Sequence, residues 1–371
     1  MLPKKLHKKL EERKANNAFR LLGIPSDMVD FSSNDYLGFS KSKSIFENTK
    51  AFLDSTNFNV NGATGSRLLS GNHKLYEKLE DTLCNFHNSE TALVYNSGYD
   101  ANLGFFSAVP QRGDIICYDE YSHASIRDGI QLSNAKAYKF KHNDLEDLNM
   151  MLKRVQHDSS DLYIVTESVF SMDGDSPNME ALLELSKKHD AHLVVDEAHA
   201  VGVFHQGLVN IPVFARIITF GKALGCHGAA ILGSQDLKNY LVNFSRALIY
   251  TTALPPHSVA TITMSYKELQ TNTEAQEKLQ SNIEFFQSEL KRLRLQSKFV
   301  ASHSAIHCCI ISGNESVKNI AHQLQNKRFD VKPILSPTVP SGKERLRFCL
   351  HSYNSEQDIT QVLELLATFA L

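Results

Sequence analysis

The stretch His192-Leu193-Val194-Val195-Asp196-Glu197-Ala198-His199 constrains the fold of this chain more than any other. An unbroken apolar, β-branched run has no polar face to show to water, which is the condition of a strand buried on both sides in a parallel sheet. It closes on an acid and, three positions later, a histidine. Those polar groups arrive at the carboxyl end of the strand, the rim where open α/β sheets bind ligands. Comparable runs at 91–95, 114–118, 135–140, 162–166, 216–219 and 229–233 alternate with helical periodicity up to 109, from Ser122, and over 144–155 and 179–189. The expectation is an α/β fold with a largely parallel sheet covered by helices on both faces.

The run at 216–219 leads into Thr219-Phe220-Gly221-Lys222, with Gly225 and Gly228 following. A Gly-Lys pair by itself reads as a surface turn, because lysine is mostly exposed. Here the glycines leave room for a flat ring to approach the backbone. A lysine and an acid delivered to one rim by neighbouring strands suit pyridoxal phosphate (PLP). The lysine forms a Schiff base with its aldehyde, and the carboxylate keeps its pyridine nitrogen protonated.

Composition narrows the alternatives. A net charge of -2 gives no basic surplus for nucleic acid, and no apolar run is long enough to cross a bilayer. The basic segment 4–14 is interrupted by Glu11 and Glu12, so it reads as a solvated amphipathic helix and not as a targeting peptide; a cytoplasmic location is expected. Six scattered cysteines without metal-type spacing read as buried thiols, and His303 with His307 falls in a strand-like stretch, so no metal is expected.

Three segments follow from the pattern: an N-terminal helix and arm over 1–45, a large domain over 46–255, and a bridging helix with a small α+β domain over 256–371. The first helix should run over 3–22 and stop at 23–27; the bridging helix should run over 258–295.

Other candidates each carry a plainer reading. Asn96 to Asn102 is a strand-turn-helix start, common in α/β folds, an arrangement that offers free N–H groups and a positive dipole end to a phosphate. His123 either caps a helix or stacks on an aromatic ring. Ser171 belongs to a turn or donates to a ring oxygen. Arg345 and Arg347 share one strand face, and an arginine there grips a carboxylate best. The box Asp196-Glu197-Ala198-His199 also spells a helicase motif, but neither Gly221-Lys222 nor Gly342-Lys343 has the phosphate-loop spacing that motif needs.

FSSNDYLG (31–38), SHAS (122–125), TESVFSMDGD (166–175), VDEAH (195–199), TFGK (219–222) and PTVPSGKERLR (337–347) together resemble the α-oxoamine synthases. These are PLP-dependent acyltransferases of the aspartate-aminotransferase fold, type I, and the likeness spans nearly the whole chain. It implies a large domain with a mostly parallel seven-stranded sheet, a smaller α+β C-terminal domain and a homodimer. It makes Lys222 the Schiff-base lysine and Asp196 the partner of the pyridine nitrogen, puts His199 and Ser171 near the phenolic oxygen, and stacks His123 on the ring. Gly98, Tyr99 and Thr219 would hold the phosphate, with Thr252 reaching it from a second subunit; Arg20, His123, Thr338 and Arg347 would touch substrate.

The first, third and last motifs favour the branch that condenses L-alanine with a pimeloyl thioester, on CoA or an acyl carrier protein, to 8-amino-7-oxononanoate. Sister enzymes taking glycine or serine, and a catalytically silent dimer partner, are the competing readings. Segment 203–216 is shorter than the resemblance implies and 59–72 differs in detail, changes that would reshape the acyl entrance.

Overall fold

The computed structural model describes residues 2–23, 27–155 and 160–370. It divides into two compact units, Asp35–Phe170 with Ser176–Gln276, and Met1–Asn34 with Ser171–Asp175 and Glu277–Leu371.

The larger unit is built on strands β1 (Thr91–Tyr95), β2 (Ile115–Asp119), β3 (Lys136–Phe140), β4 (Leu162–Glu167), β5 (Ala191–Asp196), β6 (Ala215–Thr219) and β7 (Ala229–Gly233). They form one seven-stranded sheet in the order β1-β7-β6-β5-β4-β2-β3. All neighbours are parallel except β7, which runs antiparallel to both β6 and β1.

Strand alternation explains why near-continuous apolar runs were needed. Ile116, Val165, Val194 and Ile217 pack on one face with Phe105, Phe106 and Ile126 of the helices Gly98–Ala108 and Ala124–Leu132. Cys117, Ile164, Leu193 and Val195 point to the other face, against Leu148, Leu152 and Leu182 of the helices Leu145–Val155 and Met179–Lys188. The central strands β2, β4 and β5 thus serve two cores, whereas the edge strand β3 exposes Lys136 and Lys139.

The same alternation splits the acidic doublet after β5. Asp196 turns toward the carboxyl-end rim, while Glu197 is fully buried elsewhere and accepts hydrogen bonds from Arg216 Nε (2.6 Å), Leu208 N (2.7 Å) and Val209 N (2.9 Å). Glu197 thus fastens the short 203–214 connection to β6. Gly207 has φ +111°, and a Cβ there would lie 2.5 Å from the Glu197 carboxylate, so the tie needs glycine. Of the helicase-like box, Glu197 is here a fold element.

The smaller unit carries β8 (Ile306–Ile310), β9 (Lys332–Ile334) and β10 (Arg345–Cys349) in an antiparallel sheet of order β9-β10-β8. A two-residue parallel ladder joins Val29–Asp30 to Phe329–Asp330. His307 lies within β8, its ring 4.6 Å from that of Phe286, so its spacing from His303 belongs to a strand segment and not to a helix.

Three expectations are corrected. The first helix is Lys4–Ala15, shorter than 3–22, because Asn17 takes a left-handed conformation (φ 54°) and Ala18 N bonds back to Arg13 O. Within the expected stop at 23–27, Ile24, Pro25 and Ser26 lie outside the described residues. The bridging stretch is two helices, Pro256–Thr271 and Glu274–Arg292, because Asn272 Oδ1 accepts from Glu274 N at 3.1 Å and starts the second. Cys84 and Cys226 are only partly buried, unlike Cys117, Cys308, Cys309 and Cys349. No helix among the described residues is long and apolar enough to cross a membrane.

Candidate active site

The carboxyl ends of β4, β5 and β6 open into a cavity of about 180 Å³ in the larger unit. Gly98, Tyr99, His123, Asp196, His199, Thr219 and Lys222 all line it, joined by Asn102, Ser125 and Glu167. Seven residues singled out from sequence therefore meet in one place, although they come from four separate segments.

Lys222 sits on the turn after β6. Phe220 N bonds Gly228 O (2.9 Å) and Cys226 N bonds Phe220 O (2.8 Å), which closes the loop on itself. Gly225 (φ +62°) lets this turn pass against residues 39–40, where a Cβ would lie 2.1 Å from Ser40 N. The Lys222 amine reaches His199 Nε2 at 2.6 Å, and His199 Nδ1 is 2.7 Å from the hydroxyl of the fully buried Tyr36.

Asp196 is held by two donors: Asn102 Nδ2 to Oδ2 at 2.8 Å and Ala198 N to Oδ1 at 2.9 Å. Opposite it in register on β4 stands Glu167, fully buried, accepting from His123 N at 2.6 Å. Burial first, and the Asp196 carboxylate second, push the Glu167 carboxyl up to about 8, against the lowering pull of Lys222. The two acids on neighbouring strands thus have unlike surroundings: Asp196 is fixed by two donors, whereas Glu167 is buried with its carboxyl pushed upward.

His123 is the N-cap of helix Ala124–Leu132, its Nδ1 2.8 Å from Ser125 Oγ and 3.3 Å from Ser125 N. It lines the cavity and keeps an exposed surface; the protein around it lowers its imidazole pKa, chiefly by desolvation, against the raising effect of Asp196.

The helix Gly98–Ala108 begins at the cavity wall, with Ser97 capping Asp100 N at 3.0 Å. The main-chain N–H groups of its first turn have no intrahelical acceptor by construction, which makes the helix start an anion site. Thr219 Oγ1 lies beside Gly98, 3.5 Å from where a Cβ would stand, an ordinary van der Waals contact. Thr252 is exposed beside the turn before this helix, where its carbonyl accepts from Asn96 Nδ2 at 2.7 Å.

The remaining expected residues lie in the smaller unit, in two pairs. Arg20 Nη2 donates to Thr338 Oγ1 at 3.3 Å. Arg347 Nε donates to Ser171 O at 2.8 Å and its Nη2 to Asn34 Oδ1 at 3.0 Å. Arg345, on the same face of β10, is fully buried against Asp173 and Met172 O, so it is spent on holding segment 171–175.

The family description "Aminotransferase class I and II" matches residues 26–366. The chain belongs to that family. Among its aminotransferase-family relatives, the 8-amino-7-oxononanoate synthase of Emericella nidulans is 39% identical over 379 residues, covering 94% of this chain and 91% of that one. The solved 8-amino-7-oxononanoate synthase of Francisella tularensis superposes with a TM-score of 0.78 at 28% identity, over 92% of this chain and 98% of that one. Serine palmitoyltransferase from S. paucimobilis, solved with PLP and myriocin bound, gives a TM-score of 0.87 at 26% identity, over 99% and 97% of the two chains.

This class I and II aminotransferase relative therefore has the PLP-dependent type I architecture, PLP as its cofactor, and the activity of an acyltransferase of the α-oxoamine synthase group. Its residues fit that cofactor: an amine for the aldehyde, a carboxylate in the same cavity for the pyridinium, and a helix start with a hydroxyl for the phosphate. Bound there, PLP supplies an electron sink for the α-carbon of an amino acid. Lys222 would hold it and Asp196 would keep its ring nitrogen charged.

Sequence reasoning did not single out Tyr36, Asn102, Ser125 or Glu167. Tyr36, Ser125 and Glu167 lie inside motifs that marked the family, so a signal was present. Asn102 had none beyond its place on the first turns of a helix.

Proposed function

We propose that the protein condenses L-alanine with a pimeloyl thioester, carried on CoA or an acyl carrier protein, to give 8-amino-7-oxononanoate, a step of biotin synthesis. The observation that carries this reading is one cavity holding both Lys222 and Asp196, in a chain 39% identical to a relative of that name. Lys222 takes the α-proton of alanine and later returns one. The α-carbon bonds to the thioester carbonyl, the thiol leaves, and carbon dioxide departs from the resulting β-keto acid. Arg20 with Thr338, together with Arg347, receive the carboxylate and acyl portions of the substrates, and Ser171 and His199 serve the ring oxygen.

The working form in this reading is a cytoplasmic homodimer, in which Thr252 reaches the partner's phosphate site. Leu69 and Tyr250, 85% and 72% exposed on the larger unit, support a covering surface there. Light scattering of the PLP-loaded protein tests it, and a monomer at micromolar concentration would count against it.

A second reading, a sister enzyme using glycine or L-serine with another acyl thioester, is favoured by the serine palmitoyltransferase likeness at a TM-score of 0.87. A catalytically silent dimer partner is disfavoured by the joint presence of Lys222, Asp196 and His123. The deciding experiment supplies L-alanine, glycine and L-serine separately with pimeloyl and acetyl thioesters and identifies products by mass. Product from L-alanine with the pimeloyl thioester is expected; turnover confined to glycine or L-serine would replace the proposal with the second reading.

A further inference from the structure

Between Asp196 and His123 runs a line of hydrogen bonds whose hydrogens can be counted. Asn102 is 2% exposed and Ser125 1% exposed, so no solvent donor substitutes for either. Asn102 Nδ2 lies 2.8 Å from Asp196 Oδ2 and 3.1 Å from Ser125 Oγ. The Asn102 Oδ1 atom has no hydrogen-bond partner among the described residues. Rotating the amide would set that oxygen against the Asp196 carboxylate, so the carboxylate fixes its orientation. Both amide hydrogens are then committed, one to Asp196 and one to the Ser125 hydroxyl oxygen. An amide nitrogen accepts nothing, so the Ser125 O–H is left to donate to its other neighbour, His123 Nδ1, at 2.8 Å. The Ser125 main-chain N–H, 3.3 Å from the same Nδ1, also needs a lone pair there. Two donors converge on one ring nitrogen.

We infer that Asn102 and Ser125 are positioning residues that hold the His123 imidazole as its Nε2–H tautomer, so that the carboxylate at Asp196 dictates which ring nitrogen of His123 carries the proton. Glu167 completes the arrangement by accepting from the His123 main-chain N–H at 2.6 Å, which fixes the backbone from which the ring projects. The consequence is chemical. The one N–H the neutral ring presents is on Nε2, the nitrogen with no bond to the protein among the described residues, and it is available to an oxygen of whatever substrate enters the cavity. With the opposite tautomer the ring would present a lone pair there, and repel such an oxygen. The inference concerns the protein's own residues and holds for any amino acid or thioester.

Ring nitrogens of histidine report their protonation directly in two-bond 15N–1H correlation spectra of protein carrying 15N-labelled imidazoles, with His123 assigned by the signals lost in His123→Gln. In the wild type, both PLP-free and PLP-loaded, His123 should show an unprotonated Nδ1 and a protonated Nε2. Ser125→Ala removes the hydroxyl donor and should move the ring toward an even mixture of tautomers, with about a tenfold fall in kcat and a smaller change in KM for the thioester. Ser125→Thr keeps a hydroxyl and should restore the wild-type pattern. A wild-type His123 protonated on Nδ1 overturns the inference whether or not any variant folds. So does a Ser125→Ala protein whose His123 pattern matches the wild type.

Discussion

The amine of Lys222 lies 2.6 Å from Nε2 of His199, whose Nδ1 is 2.7 Å from the hydroxyl of Tyr36. An ammonium at Lys222 donates to Nε2, which places the imidazole proton on Nδ1, where it is donated to Tyr36. Tyr36 is fully buried, so this support is rigid.

Lys222→Ala should abolish the borohydride-reducible link between protein and PLP, read as the loss of the mass increment on the peptide containing residue 222, and should abolish turnover. Tyr36→Phe should keep the link and lower kcat by about tenfold. A Lys222→Ala protein that still fixes PLP on reduction would move the covalent anchor to another lysine.

Glu167 makes a claim about alkaline pH. Its folded carboxyl is raised to about 8 from the ordinary 4.5, so between those values the native state keeps a proton that the unfolded chain has released. Stability from this group therefore falls as pH rises through that window. Glu167→Gln keeps an oxygen acceptor for His123 N–H and removes the ionisation. Denaturant unfolding at about pH 6 and about pH 8 should show a loss in the wild type that is smaller in the variant by about 1–2 kcal/mol. Parallel pH dependences would show that Glu167 is ionised in the fold.

His87 and His307 set the acid limb. Burial holds both imidazoles near about 3, and His87 is further lowered by Arg216, whereas an unfolded histidine titrates near 6.5. The unfolded chain binds the extra protons between those values, so stability is present above about pH 6.5 and is lost as pH falls toward 3. His307 Nε2 has no hydrogen-bond partner among the described residues, and the ring lies against Phe286. His307→Phe should move the acid-unfolding midpoint, followed by circular dichroism, downward by about half a pH unit. An unchanged or higher midpoint would contradict the buried neutral ring.

Arg216 holds Glu197 in the fold at 2.6 Å. Arg216→Met should cost about 3–5 kcal/mol in equilibrium unfolding, because Glu197 is left as a buried charge with only main-chain donors from residues 208 and 209. The double variant Arg216→Met, Glu197→Gln should recover more than half of that loss. A cost below about 1 kcal/mol for the single variant would mean that solvent reaches the acid.

The strands of the large sheet were legible because burial on both faces demands apolar runs, and such runs are visible one residue at a time. Their ends differ from the expected positions by no more than two residues at β2 to β7. Lys222, Asp196 and His123 stood out for the same reason: each follows directly on a strand or its turn, so its place on the rim is set by its neighbours in sequence.

Other features had little or no local signature. The stretch 258–295 is divided where Asn272 leaves the helix in an extended conformation and its Oδ1 accepts from Glu274 N, and a lone capping residue inside a long helical pattern is a weak signal. Asp196 and Glu197 are adjacent acids, alike in sequence, and what separates a cavity carboxylate from a buried tie to Arg216 is the side of the sheet each one faces.

By itself, the sequence determined which segments become strands, which side of each is apolar, and which polar residues the strands deliver at their carboxyl ends, because those properties depend on spacing along a few residues. Only the tertiary structure decided that Asn102 meets Asp196 across 94 positions and that Tyr36 meets His199 across 163. Hydrogen bonds between side chains so far apart depend on angles accumulated over the whole sheet and its helices. No short stretch of sequence encodes them.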